Sequence, residues 1–375
     1  MYRLNPEDAR SFLAAAETVQ LAFVDPAGRP VLRTLHGVVV DDAIAFHAAP
    51  KGEKRLATGT RAVLSAAEIV ARLPSYFLDA ERACPATTYY RSVQVEGVVE
   101  DVTDPDRKAR VLQALMEKLQ PEGGHKRITA TYPLYRASVA GLWIFQVPLR
   151  NLSGKAKLGQ NRQPHELRLV LEALWQRGAP GDMRAIDMVR QFNPAMADPA
   201  CLEAPAGLRF RVSPDRSAAE EAADLLQPEY WNLDVPREAI VLAHLGSTAW
   251  VTLCDGAGSV VASARAASDG GKWAWIYDVV VARSMRGRGL GQALMRVILD
   301  HPAVRNTRTV ALSTRDAQGL YARFGFVDRK VMAPKPYPST DMLLVRREAT
   351  RAAGDTKSAG GLTGQALSGT MDALV

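Results

Sequence analysis

The sequence predicts two domains, an N-terminal antiparallel β-barrel with peripheral helices and a C-terminal α+β unit with a mixed sheet. Three observations lead there. The chain has 375 residues, more than one compact domain at roughly 150 residues each. Residues 18–147 hold short strand-like runs punctuated by turn signals. From residue 239 the pattern runs through four strands, a helix, a strand, a helix and a strand, the order of a mixed sheet. Hydrophobic residues are 47% and charged residues 23% of the chain, an ordinary globular composition that excludes disordered and fibrous classes.

The elements follow in order. Asn5 and Pro6 open a helix over 5–16 as N-cap and first helical residue. Strands are expected at 18–24, 31–40, 43–47, 91–102 and 142–147, with a helix at 104–118 carrying Val111, Leu112, Leu115 and Leu119 at helical spacing. A helical pattern covers 164–192, and the proline-rich stretch 193–206 reads as a linker. In the second unit, Ser213-Pro214-Asp215 starts a helix that runs to 226. Strands are expected at 239–245, 249–254, 260–266 and 273–281, then a helix at 289–299, a strand at 308–312, a helix at 317–324 and a last strand near 342–345. Residues 349–375 have no apolar pattern and are expected to be a loose tail.

Charge and cysteines narrow the function. The 47 Lys and Arg against 40 Asp and Glu give a net charge of +7, spread evenly and without a Lys/Arg block. That is no nucleic-acid footprint and suits small anions such as phosphates. Cys84, Cys201 and Cys254 form no CxxC pair, which argues against disulfides and a metal site. No apolar run reaches 18 residues, so no membrane span is expected. The N-terminus lacks signal-peptide character, so a cytoplasmic protein is expected.

The strongest local signal is Arg286-Gly287-Arg288-Gly289-Leu290-Gly291, which links a strand to a helix. Free N–H groups and the positive dipole end of that helix make an anion site. The loop lacks the Gly-Lys-Ser/Thr ending of a Walker loop and the dinucleotide-binding pattern. With Leu312–Phe326 some 30 residues on, it resembles motifs A and B of the GNAT N-acetyltransferases. The resemblance covers about 208–348 and implies the GNAT fold and transfer of acetyl from acetyl-CoA to a small amine. It implies that Tyr321 protonates the CoA thiolate. The backbone of Val279, Val280 and Val281 would pair with pantetheine, and Arg286, Gly287, Arg288, Gly289, Gly291 and Gln292 would hold the pyrophosphate. Asp316 is expected to cap the motif B helix beside the cofactor. Asp278, the carboxylate nearest the acetyl position, is the candidate base, directly or through water, with sheet anchoring and amine binding as its alternatives. Trp273, Trp275 and Tyr277 share one strand face and line either an acceptor pocket or the core.

In the first unit, Phe46–Lys54, Tyr90–Glu100 and Gly154–Arg162 resemble stretches of the FMN-binding split barrels related to pyridoxamine 5'-phosphate oxidase, over about 8–180. The closest branches are nitroimidazole-resistance proteins and FMN-binding regulators. The resemblance implies a flavin flanked by Arg33, Thr34, Leu35 and His36. Its ribityl–phosphate arm would meet His47 and Ala48, with Lys51 and Lys54 on the phosphate. Ser92 stands where the oxidases often carry a flavin-touching Gln, a departure from the family pattern that counts against the FMN assignment. Haem is the alternative, with His47 or His36 as axial ligand. The resemblance further implies a homodimer. The expected domains are 1–192, linker 193–206 and 207–348. The expected protein is bifunctional, an acetyltransferase fused to a flavin redox barrel. The alternative is a flavin- or haem-sensing module that controls the transferase without redox turnover.

Overall fold

The computed structural model describes residues 2–49 and 51–331. The strand expected near 342–345 and the tail at 349–375 lie outside these residues. Met1–Phe324 forms one compact unit and Gly325–Val375 a second, of which 325–331 are described.

The chain opens with α1 (Pro6–Ala15), where the Asn5 side chain accepts the Asp8 N–H at 2.7 Å. Strands β1 (Val19–Val24), β2 (Pro30–Leu35), β3 (Val38–Val40) and β4 (Ala43–Ala48) follow, then a 3₁₀ turn at Glu53–Ala57. Next come β5 (Arg61–Leu73), β6 (Thr87–Val98), β7 (Glu100–Val102), α2 (Pro105–Leu119), α3 (Pro133–Gly141), β8 (Trp143–Pro148) and β9 (Leu152–Lys157). They build two antiparallel sheets, ordered β2-β1-β5-β6-β9 and β3-β4-β8-β7. Phe46, Phe145 and Trp143 stack in the core, with centroids 5.1 and 4.3 Å apart.

Three features differ from expectation. Residues 31–40 form two strands broken at His36-Gly37, where a Cβ on Gly37 would lie 2.5 Å from the Phe46 ring. The longest strand, β5, was not expected, because its Ala, Arg, Leu and Glu are helix formers. The alternate burial of Ala62, Leu64 and Ala66 is the strand signal. The strand expected at 239–245 is a helix, since Ile240, Val241 and His244 are buried at helical spacing.

The rest comprises α4 (Pro164–Arg177), α5 (Asp182–Phe192), β10 (Arg209–Arg211), α6 (Arg216–Leu226), α7 (Arg237–Leu245), β11 (Ala249–Cys254), β12 (Val260–Ser268), β13 (Trp273–Val281), α8 (Leu290–Asp300), β14 (Thr309–Ala311) and α9 (Gln318–Ala322). The sheet runs β10-β11-β12-β13-β14, and only β13 and β14 are parallel.

Helices α4 and α5 weld the barrel to this sheet. Trp175 is fully buried, donates its indole N–H to Asp300 at 2.7 Å and meets the His301 ring edge-on at 5.6 Å. Arg305 caps the end of α4 through the carbonyls of Trp175 and Gln176 at 2.7 and 2.8 Å. The Asp187 carboxylate accepts the N–H groups of Val212 and Ser213. Buried Arg190 pairs bidentately with Asp198 at 2.7 and 2.6 Å and donates to the Phe210 carbonyl, so its charge is matched on all sides. Arg296 donates to the carbonyls of Ala200, Cys201 and Glu203. The stretch 193–206 is therefore pinned along its length.

His301 makes this junction acid-sensitive. Burial, helped by the Arg305 charge, pushes its pKa down to about 4, and its Nδ1 accepts the Ala303 N–H. The unfolded chain protonates this imidazole near 6.5, so between pH 6.5 and 4 it binds more protons than the folded protein. Stability therefore falls through that window, by about 3 kcal/mol in all, and levels off below it. His301→Gln is expected to flatten the acid slope of Tm from pH 6.5 to 4. An unchanged slope overturns the assignment.

Candidate active site and cofactor site

The geometry of the transferase-like half starts from a bulge. Ser263 pairs with Val280 and Arg265 with Tyr277, so β13 carries one more residue than β12 between these pairs. The surplus falls at Asp278, whose φ of +51° is left-handed, a state Asp tolerates better than most residues. Its carboxylate is fully engaged. One oxygen accepts Arg265 Nε at 2.6 Å and the other the Trp231 indole N–H at 3.1 Å. That pairing favours the anchoring role among the three expected for Asp278.

Strand β14 pairs only with Trp273, Ala274 and Trp275. Among the described residues, the β14-side edge of β13 from Tyr277 to Val281 has no strand partner. Val279, Val280 and Val281 lie on this edge, though the Val281 carbonyl already accepts Arg286 Nε at 3.1 Å. The edge leads into the glycine loop. Gly287 and Gly289 have φ of +78° and +77°, and an added Cβ at either would meet no atom within 4 Å. Backbone angle rather than crowding requires glycine there, and the space above the loop is open. The first turn of α8 presents the unpaired N–H groups of Leu290, Gly291 and Gln292. At Gly291 an added Cβ would lie 3.4 Å from the Leu320 side chain, so this turn faces the second motif.

Two expected roles change. Arg286 forms an ion pair with Glu229 at 2.6 Å, so it is a strut under the loop and not an unpaired phosphate cation. Arg288 is exposed, its guanidinium against the Met285 sulfur. Asp316 does not cap α9. The N-cap is Ala317, whose N–H is received by Thr314 Oγ1 at 3.0 Å, while Asp316 sits beside Arg315. Tyr321 is buried on α9, and burial, then Tyr230 and Asp316, push its phenol up. It stays protonated at neutral pH.

Several contributors were not singled out from sequence: Arg265, Trp231, Tyr230, Glu229 and His244. Arg265 lies over the Tyr277 ring at 4.7 Å, and Arg315 over Tyr230 at 3.6 Å. His244 is buried, donates Nδ1–H to the Ile240 carbonyl at 2.8 Å and packs edge-on to Trp250. Burial lowers its pKa. No motif marks these residues, since their meaning lies in cross-strand rows and in the loop after α6.

In the barrel, β2, the end of β4 and the 3₁₀ turn converge. Arg33 forms an ion pair with Glu53. His36 Nδ1 donates to the Glu17 carbonyl at 3.1 Å, and Thr34 donates to Gln20. Partial burial, then the charges of Lys54 and His36, lower the pKa of His47. Ala48 ends β4 beside them, and Leu35 is buried beneath. Lys51 and Lys54 make no ion pair among the described residues. An uncompensated cationic cluster of this kind fits a phosphate monoester. Ser92 lies apart. It pairs with Ala67 on β5 and Lys155 on β9, and β1 and β5 stand between its strand and β2.

Comparison with known proteins matches both halves. The family model for pyridoxamine 5'-phosphate oxidase matches residues 5–156, and that of the acetyltransferase (GNAT) family matches 216–326. Glucosamine 6-phosphate N-acetyltransferase 1 of Oryza sativa subsp. japonica is 34% identical over 76 residues, 20% of this chain. The chain spans 46% of that relative's length. Among solved structures, a FAD- and heme-binding protein of Mycobacterium smegmatis is 19% identical, covering 42% of this chain and 74% of its own, with a TM-score of 0.36. A protein assigned to the GNAT family from Xanthomonas campestris pv. campestris is 33% identical, covering 34% and 92%, with a TM-score of 0.29. The chain joins a domain of the pyridoxamine 5'-phosphate oxidase family to a domain of the GNAT acetyltransferase family.

Proposed function

We propose that the protein is bifunctional. The GNAT domain transfers acetyl from acetyl-CoA to a small amine, and the barrel, within a division at 1–192, 193–206 and 207–348, binds FMN. The observation that carries the first activity is the edge of β13 left unpaired among the described residues, which runs from the Asp278 bulge into the Gly287–Gly289 loop and the first turn of α8. Pantetheine adds to that edge like a strand, and the pyrophosphate meets the helix N–H groups. The amine attacks the thioester carbon as the free base and forms the C–N bond, the C–S bond breaks, Tyr321 gives its phenolic proton to the departing thiolate, and the proton lost from the acylated nitrogen restores the phenol through solvent. Asp278 works as a positioning residue through Arg265 and Trp231.

In the barrel, Lys51 and Lys54 hold the phosphate, with His47, Ala48 and the β2 residues Arg33 to His36 along the flavin. Bound FMN supplies one- or two-electron redox chemistry on a small molecule. The packed junction favours a second reading, in which FMN occupancy sets the transferase rate without redox turnover. Haem is the alternative occupant, with His47 or His36 as ligand. Exposed Val24, Leu32 and Val63 form an apolar patch on the outer face of β1, β2 and β5, which supports a homodimer through the barrel. The three free cysteines suit a reducing cytoplasm.

Tyr321→Phe is expected to lower kcat for CoA thiol release by at least about a hundredfold, with little change in the KM for acetyl-CoA. Gly289→Glu, which strains the loop and repels the pyrophosphate, should raise that KM at least about tenfold. Unaltered transfer in both variants sinks the assignment. Titration with FMN, followed by flavin fluorescence, should show binding that Lys51→Ala with Lys54→Ala weakens at least about tenfold. Absence of uptake by the parent protein overturns the barrel's role. Acetylation rates of the apo and FMN-loaded forms, with and without an electron donor, separate the two readings. In sedimentation, Leu32→Glu should convert a dimer to a monomer, and an unaltered parent that already sediments as a monomer refutes the dimer.

A further inference from the structure

The outward face of β13 is aromatic where a sheet surface is ordinarily polar. Trp273, Trp275 and Tyr277 alternate with buried Ala274 and Ile276, yet remain 52%, 37% and 39% exposed. Trp250, Arg265 and Tyr277 form one cross-strand row on this face. Helices α6 and α7 cover its Trp250 end and leave the three rings open. Trp275 and Tyr277 are 6.0 Å apart and 31° from coplanar, a near-continuous platform. A second wall comes from the loop after α6. Trp231 reaches Asp278 with its indole N–H, and Tyr230 meets Trp231 edge-on at 4.8 Å. Platform and wall meet at Asp278, where the acetyl group is delivered.

The electrostatics around this corner select further. Two carboxylates of this corner are neutralised, Asp278 by Arg265 and Glu229 by Arg286. Guanidinium groups already lie against Tyr277 and Tyr230. The charges of Asp278 and Glu229 are thereby matched. The rings offer flat apolar area, and a contiguous exposed apolar surface beside a reaction centre marks a ligand site.

We propose that the acceptor is a monoamine borne on an aromatic ring, which stacks on Trp275 and Tyr277 against Trp231 and points its nitrogen at the bulge. This rests on the transferase reading and adds the substrate class. The full chain is assayed by CoA release with phenethylamine, propylamine, glucosamine 6-phosphate and spermidine. Phenethylamine should exceed propylamine in kcat/KM by about tenfold or more, the worth of one to two aromatic contacts. Trp275→Ala should erase most of that preference and spare propylamine and the KM for acetyl-CoA. Trp275→Phe should keep most of it, which guards against a misfolded alanine variant. Preference for glucosamine 6-phosphate or spermidine overturns the proposal, as does an equal loss for both monoamines in Trp275→Ala. If no amine turns over, the transferase reading fails by itself. The acceptor class is then judged by tryptophan quenching. Saturable phenethylamine binding lost in Trp275→Ala supports it, and binding no tighter than that of propylamine refutes it.

Discussion

The ion pair between Arg265 and Asp278 is the constraint on which the transferase half turns. A left-handed non-glycine residue costs about 1–3 kcal/mol unless its surroundings over-determine it. Here they do, since both carboxylate oxygens are held, one from β12 and one from the loop after α6. Fixing the surplus residue at this point bends β13, so its first half stays paired with β14 and its second half presents an open edge. The same bulge sets the edge's aim toward the glycine loop and brings Trp231 beside the aromatic platform. The strand edge, the glycine loop and the aromatic face, the three features the proposed transfer uses, thus adjoin one backbone irregularity.

The sequence carried the parts of this site that depend on local order. Glycines at 287 and 289 precede a helix, and their left-handed angles follow from the tight turn itself. Tyr321 sits on the helix that the second motif predicts. What was illegible depends on distant partners. Arg286 reads as a loop cation until Glu229, far back in the chain, is seen to bind it. Nothing near Asp316 reveals that Ala317 is the N-cap and that Thr314 receives its N–H. Strand β5 was hidden because a strand buried on one face accepts alanine and leucine there and leaves helix-forming Arg and Glu on the other. Helix α7 was hidden for the opposite reason, its run of Ala, Ile, Val and Leu reading equally well as a buried strand.

The junction bears on why the two domains share one chain. A slack tether would raise the local concentration of one site near the other and leave their orientation free. Residues 193–206 are too rich in contacts for that. Asp198 closes on the buried Arg190, Arg296 holds three carbonyls, and Asp187 receives the backbone at the entry to α6. Trp175 adds a large apolar anchor whose single polar atom is satisfied by Asp300. Buried charges matched this closely are costly to break singly, so the junction opens as a whole or stays shut. It follows that α4 and α5 belong mechanically to both halves. Their contacts reach Asp300 and His301 at one end of α8, whose opposite end carries the Gly287–Gly289 loop. The two halves are therefore held in one orientation by packed helices and buried ion pairs rather than by a free tether.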